Sequence, residues 1–529
     1  MTTSRRQSQI SLTFRGNSVE QHSARSIRPR LQYLVALIAG GLTTLTASPF
    51  NWWWLAPIVI GLMYWGTHRL STGQAVIKGW WYGLGLFGTG TSWVYVSIHD
   101  YGYTGAPLAI FLTALFAMAM ALFPAITLGL YRGLVVRAWP PGALFFRGSL
   151  ITALAFAGAW VLGEALRTYL FTGFPWLLIG TSMVDAPLSP WAPVLGVYGL
   201  SLITALTGTL GVELLRRRWL AGLPIAILWL APLTLPQHWT EPSGDPVRVA
   251  LLQGNLPQLI KWTEQGQRQA VNTYSALTQA QNADIDLVLW PEAALPMFED
   301  QARPFLERIQ ANLSPDTALL TGILQRDDAG NAYNGVIGVG NTRGHYRKEH
   351  LVPFGEYLPL EGLLGGLIAF FDLPTPTMTP ERSKQPPMQA AGLEIGTAIC
   401  YEIVYPDLVA NRARDANVLL TVSNDTWFGD SFGPLQHVQM ARLRALENGR
   451  YLLRATSNGV TVIIDPKGEI TAQAERFTTT SIEGDVQAMQ GLTPFTHTGS
   501  WPVWLMSLLL LAPALVGVGS RKQRQSVNS

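Results

Sequence analysis

Apolar and polar positions divide the chain into two textures. Residues 31–48, 53–67, 79–98, 107–131, 149–166, 192–214, 219–235 and 499–519 are apolar runs. Several approach the roughly 20 residues a helix needs to cross a bilayer. Trp52, Trp53, Trp54, Trp80, Trp81, Trp191, Trp501 and Trp504 fall near their ends, where interfacial aromatics collect. From residue 246 the pattern changes. Strands are expected at 247–252, 285–290, 318–325, 333–340, 394–400, 417–422, 451–456 and 459–465, with helices at 264–283, 299–312, 405–414 and 435–449. Strands alternating with helices, then pairing as hairpins, predict an α/β sandwich. The Pro-rich stretch 374–387 reads as an exposed loop. The expected architecture is a polytopic α-helical membrane domain of about eight transmembrane helices carrying an extracytoplasmic α/β domain.

Charge sharpens this division. Of 529 residues, 48% are hydrophobic and 13% charged, against roughly 25% charged in soluble globular chains. Those proportions argue against intrinsic disorder and against an ordinary cytosolic enzyme. The net charge of +3 is too small to point to nucleic acid. It is a cancellation: residues 236–498 carry 19 basic and 29 acidic side chains, and the rest of the chain 18 and 5. With eight spans, 17 of those 18 basic residues fall on one side and only Arg167 on the other, which makes the first side cytoplasmic. The expected organisation is then a basic cytoplasmic tail (1–30), seven transmembrane helices (31–235), an extracytoplasmic domain (236–498), an eighth helix (499–519) and a second cytoplasmic tail (520–529). The first 30 residues are polar and Arg-rich, unlike a signal peptide. The alternative, a soluble α/β protein with buried helices, fits poorly, because soluble domains rarely string seven apolar segments together.

Cys400 is the only cysteine, which excludes an intramolecular disulfide and every paired-cysteine motif. No His/Cys/Asp cluster has metal-ligand spacing, so neither metal nor cofactor is expected. Three segments carry candidate chemistry: WPEAALP (290–296) with Glu292 just past an apolar strand, YRKEHLVPFGEYLP (346–359) with Lys348 and Glu356, and AICYEIVYPD (398–407) with Cys400. A carboxylate can take a thiol proton, and an ammonium can stabilise a thiolate or an oxyanion. Each residue also has an inert role open to it: a small buried hydrophobe for Cys400, a turn or cap for Glu292, solvated surface for Lys348. Spacing alone does not bring the three together.

In this order the segments resemble the Glu-Lys-Cys signature of the nitrilase superfamily. LLQGNLPQLIKW (251–262), HLVPFGEYLP, ICYEIVYPD, SNDTWFGDSFGPLQH (423–437), RATSNG (454–459) and, in the membrane part, GFPWLLIG (173–180) further resemble its membrane-embedded branch, the apolipoprotein N-acyltransferase family. The resemblance spans about 31 to 519. It implies a nitrilase-like αββα sandwich on the periplasmic side of a bacterial inner membrane, with both termini cytoplasmic. It also implies transfer of an acyl chain from a phospholipid, usually phosphatidylethanolamine, to the N-terminal amine of a diacylglyceryl apolipoprotein by a monomer. Cys400 then matches the nucleophile, Glu292 the general base, Lys348 the oxyanion and thiolate stabiliser, and Glu356 a supporting carboxylate. Trp262, Asn334, Tyr401, Glu402 and Trp427 match positions tied to substrate binding or site architecture. Arg347 and Thr426 depart from the commoner residues without touching the triad. Residues 357–373 are an apolar lid, an acyl-chain wall or a buried structural helix. Two other functions remain open on the residues: a membrane-tethered amidase or nitrile hydrolase, in which water resolves the thioester, and a membrane scaffold with an inactive domain.

Overall fold

The computed structural model describes residues 29–138, 146–236, 238–358 and 378–526. The N-terminal tail and nearly all of the apolar stretch 357–373 lie outside them. The first seven apolar runs fall on helices: α1 (Pro29–Thr44), α2 (Leu55–Tyr64), α3 (Thr72–Gly90) with the short α4 (Trp93–Val96), α5 (Ala106–Met120) running almost directly into α6 (Leu122–Ala138), α7 (Phe146–Tyr169), α8 (Ala192–Leu215) and α9 (Gly222–Leu230). Among the described residues, three helical runs are long and apolar enough to cross a membrane: Ala106–Val135, Ser149–Thr172 and Ser189–Leu215. Trp219–Thr234 and Trp501–Pro513 are shorter apolar helices. The run 53–67 yields a helix of only 10 residues for a local reason. Gly66 turns left-handed at φ 75°, and the buried Lys78 ammonium takes the carbonyls of Met63 and Trp65, each at 2.9 Å.

The helices pack through small residues. A Cβ on Gly40 of α1 would fall 2.0 Å from the Tyr82 carbonyl oxygen of α3, and one on Gly85 2.1 Å from the Leu37 carbonyl oxygen. Close backbone approach of this kind supplies the helix contacts that apolar surroundings cannot drive. The outward faces are apolar, with Ile110, Phe111, Leu115, Ile126 and Leu130 exposed on α5 and α6. Soluble monomers rarely show such a surface. The chain is a membrane protein.

Two mixed sheets follow. The first runs β13 (Thr480–Gln490), β1 (Glu241–Gln253), β2 (Leu287–Trp290), β3 (Ala318–Arg326), β4 (Ala332–Gly340), β6 (His345–Arg347). The second runs β5 (Thr342–Arg343), β7 (Met388–Ala390), β8 (Leu393–Ile399), β9 (Val418–Ser423), β10 (Leu452–Thr456), β11 (Val462–Ile464), β12 (Ile470–Gln473). Each has a parallel centre, β1-β2-β3 or β8-β9-β10, flanked by antiparallel strands. The connecting helices also correspond: α10 (Glu264–Gln279) and α11 (Glu299–Asn312) in the first half, α12 (Pro406–Ala413) and α13 (Gly433–Asn448) in the second. The domain is thus two copies of one topology, although no sequence repeat is visible.

Alternate positions on each parallel strand face two different cores. Val249, Leu251 and Leu289 meet Ile395, Leu420 and Leu453 between the sheets. Ala250, Leu252 and Val288 face outward under α10 and α11 with Tyr274 and Leu306. Burial on both faces is what a parallel sheet requires. On the other side Ala398, Leu419, Val409 and Leu443 share one cluster with Trp176 and Tyr198 of the membrane part. The layers are therefore αββα, and the α12–α13 layer rests on the membrane helices. The chain leaves through α14 (Trp501–Ser526), on which the last apolar run falls.

The described part of the Pro-rich stretch is more than an exposed loop. Gln385 is buried, accepts the Arg347 backbone N–H at 2.7 Å and donates to the Arg347 carbonyl at 2.7 Å. It thereby extends the edge strand β6, whose polar backbone would otherwise lack partners.

Candidate active site

The carboxyl ends of the parallel strands meet on one rim, the usual ligand position in open α/β sheets. Cys400 follows β8 directly at φ 52°, a region that costs a non-glycine residue roughly 1–2 kcal/mol. Such strain persists where neighbours over-determine it. His437 Nε2 donates to the Cys400 carbonyl at 3.2 Å. A carbonyl only accepts, so the proton sits on Nε2, and Nδ1 accepts from Arg454 at 3.0 Å. On the strand side, Ile399 N–H donates to the Glu402 carboxylate at 2.7 Å. Cys400 as a residue is half-buried.

Glu292 follows β2 by two residues and is buried. Its carboxylate accepts Asn334 Nδ2 at 2.7 Å and the Asn424 backbone N–H at 2.6 Å. Lys348 Nζ lies 3.9 Å away. The next residue, Ala293, has φ 45°, and the turn presses on β3, where a Cβ at Gly322 would stand 2.6 Å from Glu292 Cα. Gly322→Ala is therefore expected to push the carboxylate aside. We expect a loss of activity of about 10²-fold, the size a misplacement of about 1 Å produces, in a protein that still folds; turnover and melting temperature, measured together, check it.

Lys348 follows β6 and is 1% exposed. Its ammonium lies 2.9 and 2.8 Å from the two Glu356 oxygens. Burial opposes that charge, but Glu356, Glu292 and Cys400 outweigh it and hold the pKa above the ordinary lysine value. Asn334, on β4, also donates to Glu356 at 3.0 Å, so one amide clamps both carboxylates. Burial and then Glu292 push the Cys400 thiol up, while Lys348 and Ser423 pull it down. The resting thiol is therefore protonated at neutral pH. Because this is the only cysteine, alkylation reports on it alone. Its rate is expected to keep rising with pH beyond the about 8.5 of a free thiol; levelling off at or below that value would contradict the raised pKa.

Glu402 joins two motifs. It accepts Tyr346 Oη at 2.9 Å, Glu349 N–H at 2.7 Å and His350 N–H at 3.0 Å, besides Ile399 N–H. It thus ties the Lys348 segment to the Cys400 strand. Burial pushes its carboxyl up to about 7 against the pull of those donors and of Lys348. Tyr401 faces the membrane part, its hydroxyl donating to the Gly173 carbonyl at 3.0 Å. Trp427 is 43% exposed and sits edge-on to Tyr101, and its carbonyl accepts the Ser97 hydroxyl at 2.8 Å. Trp262 is 51% exposed on the turn before α10, with no hydrogen bond to the triad among the described residues.

Several polar residues at the rim carried no role in the sequence reading. Lys261, beside Trp262, is buried. Burial pushes its ammonium down to about 8 while Glu292 opposes the shift. Asn424 bonds Gln258 Oε1 at 3.0 Å through its side chain, linking that turn to Glu292. Beneath Cys400, Asp425 accepts Ser423 Oγ at 2.7 Å and Arg454 at 2.9 Å. Burial alone would raise the Asp425 carboxyl, but Arg454 above all, with the Ser423 hydroxyl, holds it well below the usual range. The signals were present, a lysine in an apolar turn and SND closing an apolar strand, but only the fold gives them partners. No group of three His, Cys, Asp or Glu residues able to hold a metal ion occurs among the described residues.

An αββα sandwich with a carboxylate, an ammonium and a thiol gathered at one rim belongs with the carbon-nitrogen hydrolases, and the carbon-nitrogen hydrolase family model matches residues 248–493. The model of the apolipoprotein N-acyltransferase N-terminal domain matches residues 39–210. A Pseudomonas syringae pv. tomato protein named apolipoprotein N-acyltransferase is 44% identical over 91% of this chain and 96% of its own. Proteins of that name from Pseudomonas aeruginosa UCBPP-PA14 and Photobacterium profundum are 44% and 35% identical, each over 93% of this chain and 97% and 96% of their own. The chain belongs to the apolipoprotein N-acyltransferase family, and it is an acyltransferase.

Proposed function

We propose that the protein moves an acyl chain from a phospholipid, with phosphatidylethanolamine the expected donor, to the free α-amino group of the S-diacylglyceryl-cysteine that begins an apolipoprotein. Cys400 is the nucleophile, Glu292 the base and Lys348 the oxyanion stabiliser. Glu356 and Asn334 hold the last two in place, Glu402 and Tyr401 fix the strand end, and Trp262 and Trp427 contact the lipids.

Glu292 takes the thiol proton as sulfur attacks the ester carbonyl, and Lys348 balances the oxyanion. The tetrahedral intermediate collapses to a thioester, and Glu292 returns its proton to the departing lysophospholipid oxygen. The lipoprotein amine then attacks, Glu292 accepts its proton, an amide forms, and the proton goes back to the leaving sulfur. A thiol with a raised pKa suits this sequence, in which deprotonation accompanies attack. The work needs no metal or cofactor and is done by a monomer. The topology proposed is eight spans, both termini in the cytoplasm and residues 236–498 in the periplasm of a bacterial inner membrane, with limits at 31–235 and 499–519.

The observation that carries this reading is the bond from Tyr401, next to the thiol, to Gly173 in the membrane part. It supports the reading because it ties the turn that carries Cys400 to the membrane part, through which a lipid would have to approach. The test uses mixed micelles of phosphatidylethanolamine and a diacylglyceryl-cysteine peptide. Amide formation with parallel double-reciprocal plots is expected of two displacements at one site. Intersecting plots would refute the two-step course. Release of free fatty acid with no amide would instead identify a hydrolase.

A further inference from the structure

Arg167 is the one basic residue of the membrane part that falls on the non-cytoplasmic side when the spans are counted. The structure gives it a specific task. It lies near the end of α7, buried, and its guanidinium donates to the carbonyls of Phe174 at 3.0 Å, Trp176, and Leu177 at 3.4 Å. One turn earlier Glu164, also buried, accepts the Ile179 backbone N–H at 2.8 Å and the Trp160 indole N–H at 3.3 Å. Two side chains of one helix therefore grip both ends of the segment 174–179.

That segment and its approach are strained. Phe171, Thr172 and Leu177 have φ of 55°, 70° and 58°. Non-glycine residues hold such angles only where surrounding contacts impose them. The contacts on the other side come from the catalytic rim. The Thr172 carbonyl accepts His350 Nε2 at 2.8 Å and the Tyr405 hydroxyl at 2.9 Å, and the Gly173 carbonyl accepts Tyr401. The Trp176 indole donates to Gln436 at 2.6 Å, the residue before the His437 that pins the Cys400 carbonyl. The loop thus reaches Cys400 from two directions, through its neighbour in the chain and through α13.

We propose that Arg167 and Glu164 are positioning residues for the acyl transfer. They hold the 171–179 loop in the one conformation that sets Tyr401 and His437, and through them the Cys400 turn. The catalytic geometry of the outer domain then depends on a clamp inside the membrane part. This rests on the proposed thioester chemistry, and the two are tested separately.

The full-length protein in detergent with phospholipid is compared with Arg167→Met, Arg167→Lys, Glu164→Gln, Tyr401→Phe and the Arg167→Met/Tyr401→Phe double variant. The readouts are the rate of thioester formation on Cys400, kcat and KM, and the melting temperature. Arg167→Met is expected to lower the thioester rate and kcat by about 10²-fold, with KM changed less than threefold. Arg167→Lys recovers part of the rate, since it keeps the charge but replaces the planar guanidinium fork by a compact ammonium on a different stem, which cannot reproduce the same contacts to Phe174, Trp176 and Leu177. Glu164→Gln, which keeps a side-chain carbonyl to accept Ile179 N–H, loses less than Arg167→Met; if Arg167→Met does not fold, Glu164→Gln carries the test with an expected loss of at least threefold. The double variant should lose no more than Arg167→Met alone, because both substitutions break one linkage. Wild-type rates in folded Arg167→Met or Glu164→Gln, or losses that multiply in the double variant, overturn the clamp. Absence of any thioester in the wild type overturns the underlying chemistry instead.

Discussion

Cys400→Ala should yield a folded protein, melting within a few degrees of the wild type, whose acyl transfer is down by about 10⁴-fold or more, the scale on which removing a covalent nucleophile acts. The physical reason lies in what surrounds the site. The chain has no second thiol. The nearby Ser423 hydroxyl is committed to Asp425 at 2.7 Å, and the Glu292 carboxylate is already held by Asn334 and the Asn424 N–H. Cys400→Ser should fail as well, because an alkoxide is far harder to form than a thiolate. Both variants keep Glu292 and Lys348, so substrate binding measured by lipid retention should survive. Transfer above about 1% of the wild-type rate in a verified Cys400→Ala preparation would show that another group carries the acyl chain.

Lys348→Met is expected to have the next largest effect, on stability as well as rate. The ammonium is 1% exposed and shared between Glu356, at 2.8 Å, and Glu292, at 3.9 Å. Its removal leaves two carboxylates bridged by the Asn334 amide with no cation between them. Breaking one side of a buried ion pair typically costs about 3–5 kcal/mol, so the melting temperature should drop clearly. The oxyanion loses its donor, a change worth about 10²–10³ in rate. The thiol also loses the charge that pulls its pKa down, so alkylation of Cys400 at fixed pH slows. Lys348→Arg should restore stability more than rate, because a planar guanidinium cannot place its charge as a compact ammonium does. Unchanged thioester formation in Lys348→Met would remove the lysine from the mechanism.

Local signals made much of the fold legible. The helix expected at 299–312 is α11 from end to end, and α10 begins at Glu264, where Thr263 accepts the Gly266 N–H. Their apolar spacing faces one core only, so the pattern is clean. The edge strand β13 was not anticipated. It is mostly half-exposed and carries Glu483 and Asp485, so no apolar alternation marks it. Strands β5 to β7 have two or three residues each, too few for a period. The apolar runs were found, but their helices are shorter in places, because Lys78 and Gly66 end α2 and a break at Thr91 and Ser92 separates α3 from α4.

For the site, sequence marked single residues at strand ends and could not show that they meet. Glu292, Lys348 and Cys400 converge because β2, β6 and β8 deliver them to a common rim across two sheets, a long-range fact. The supporting polar residues were hidden for the same reason. Asn424 matters through its backbone N–H, Asn334 through two carboxylates far from it in sequence, and Arg167 through a loop it holds from within the membrane part.

The most direct measurement is the mass of the Cys400 peptide after incubation with phosphatidylethanolamine carrying one defined acyl chain and no acceptor. A gain equal to that single acyl group, removed by hydroxylamine and absent from Cys400→Ala, is the expected result. Acyl transfer to an acceptor peptide with Cys400 never modified, or with the adduct on another residue, would contradict it.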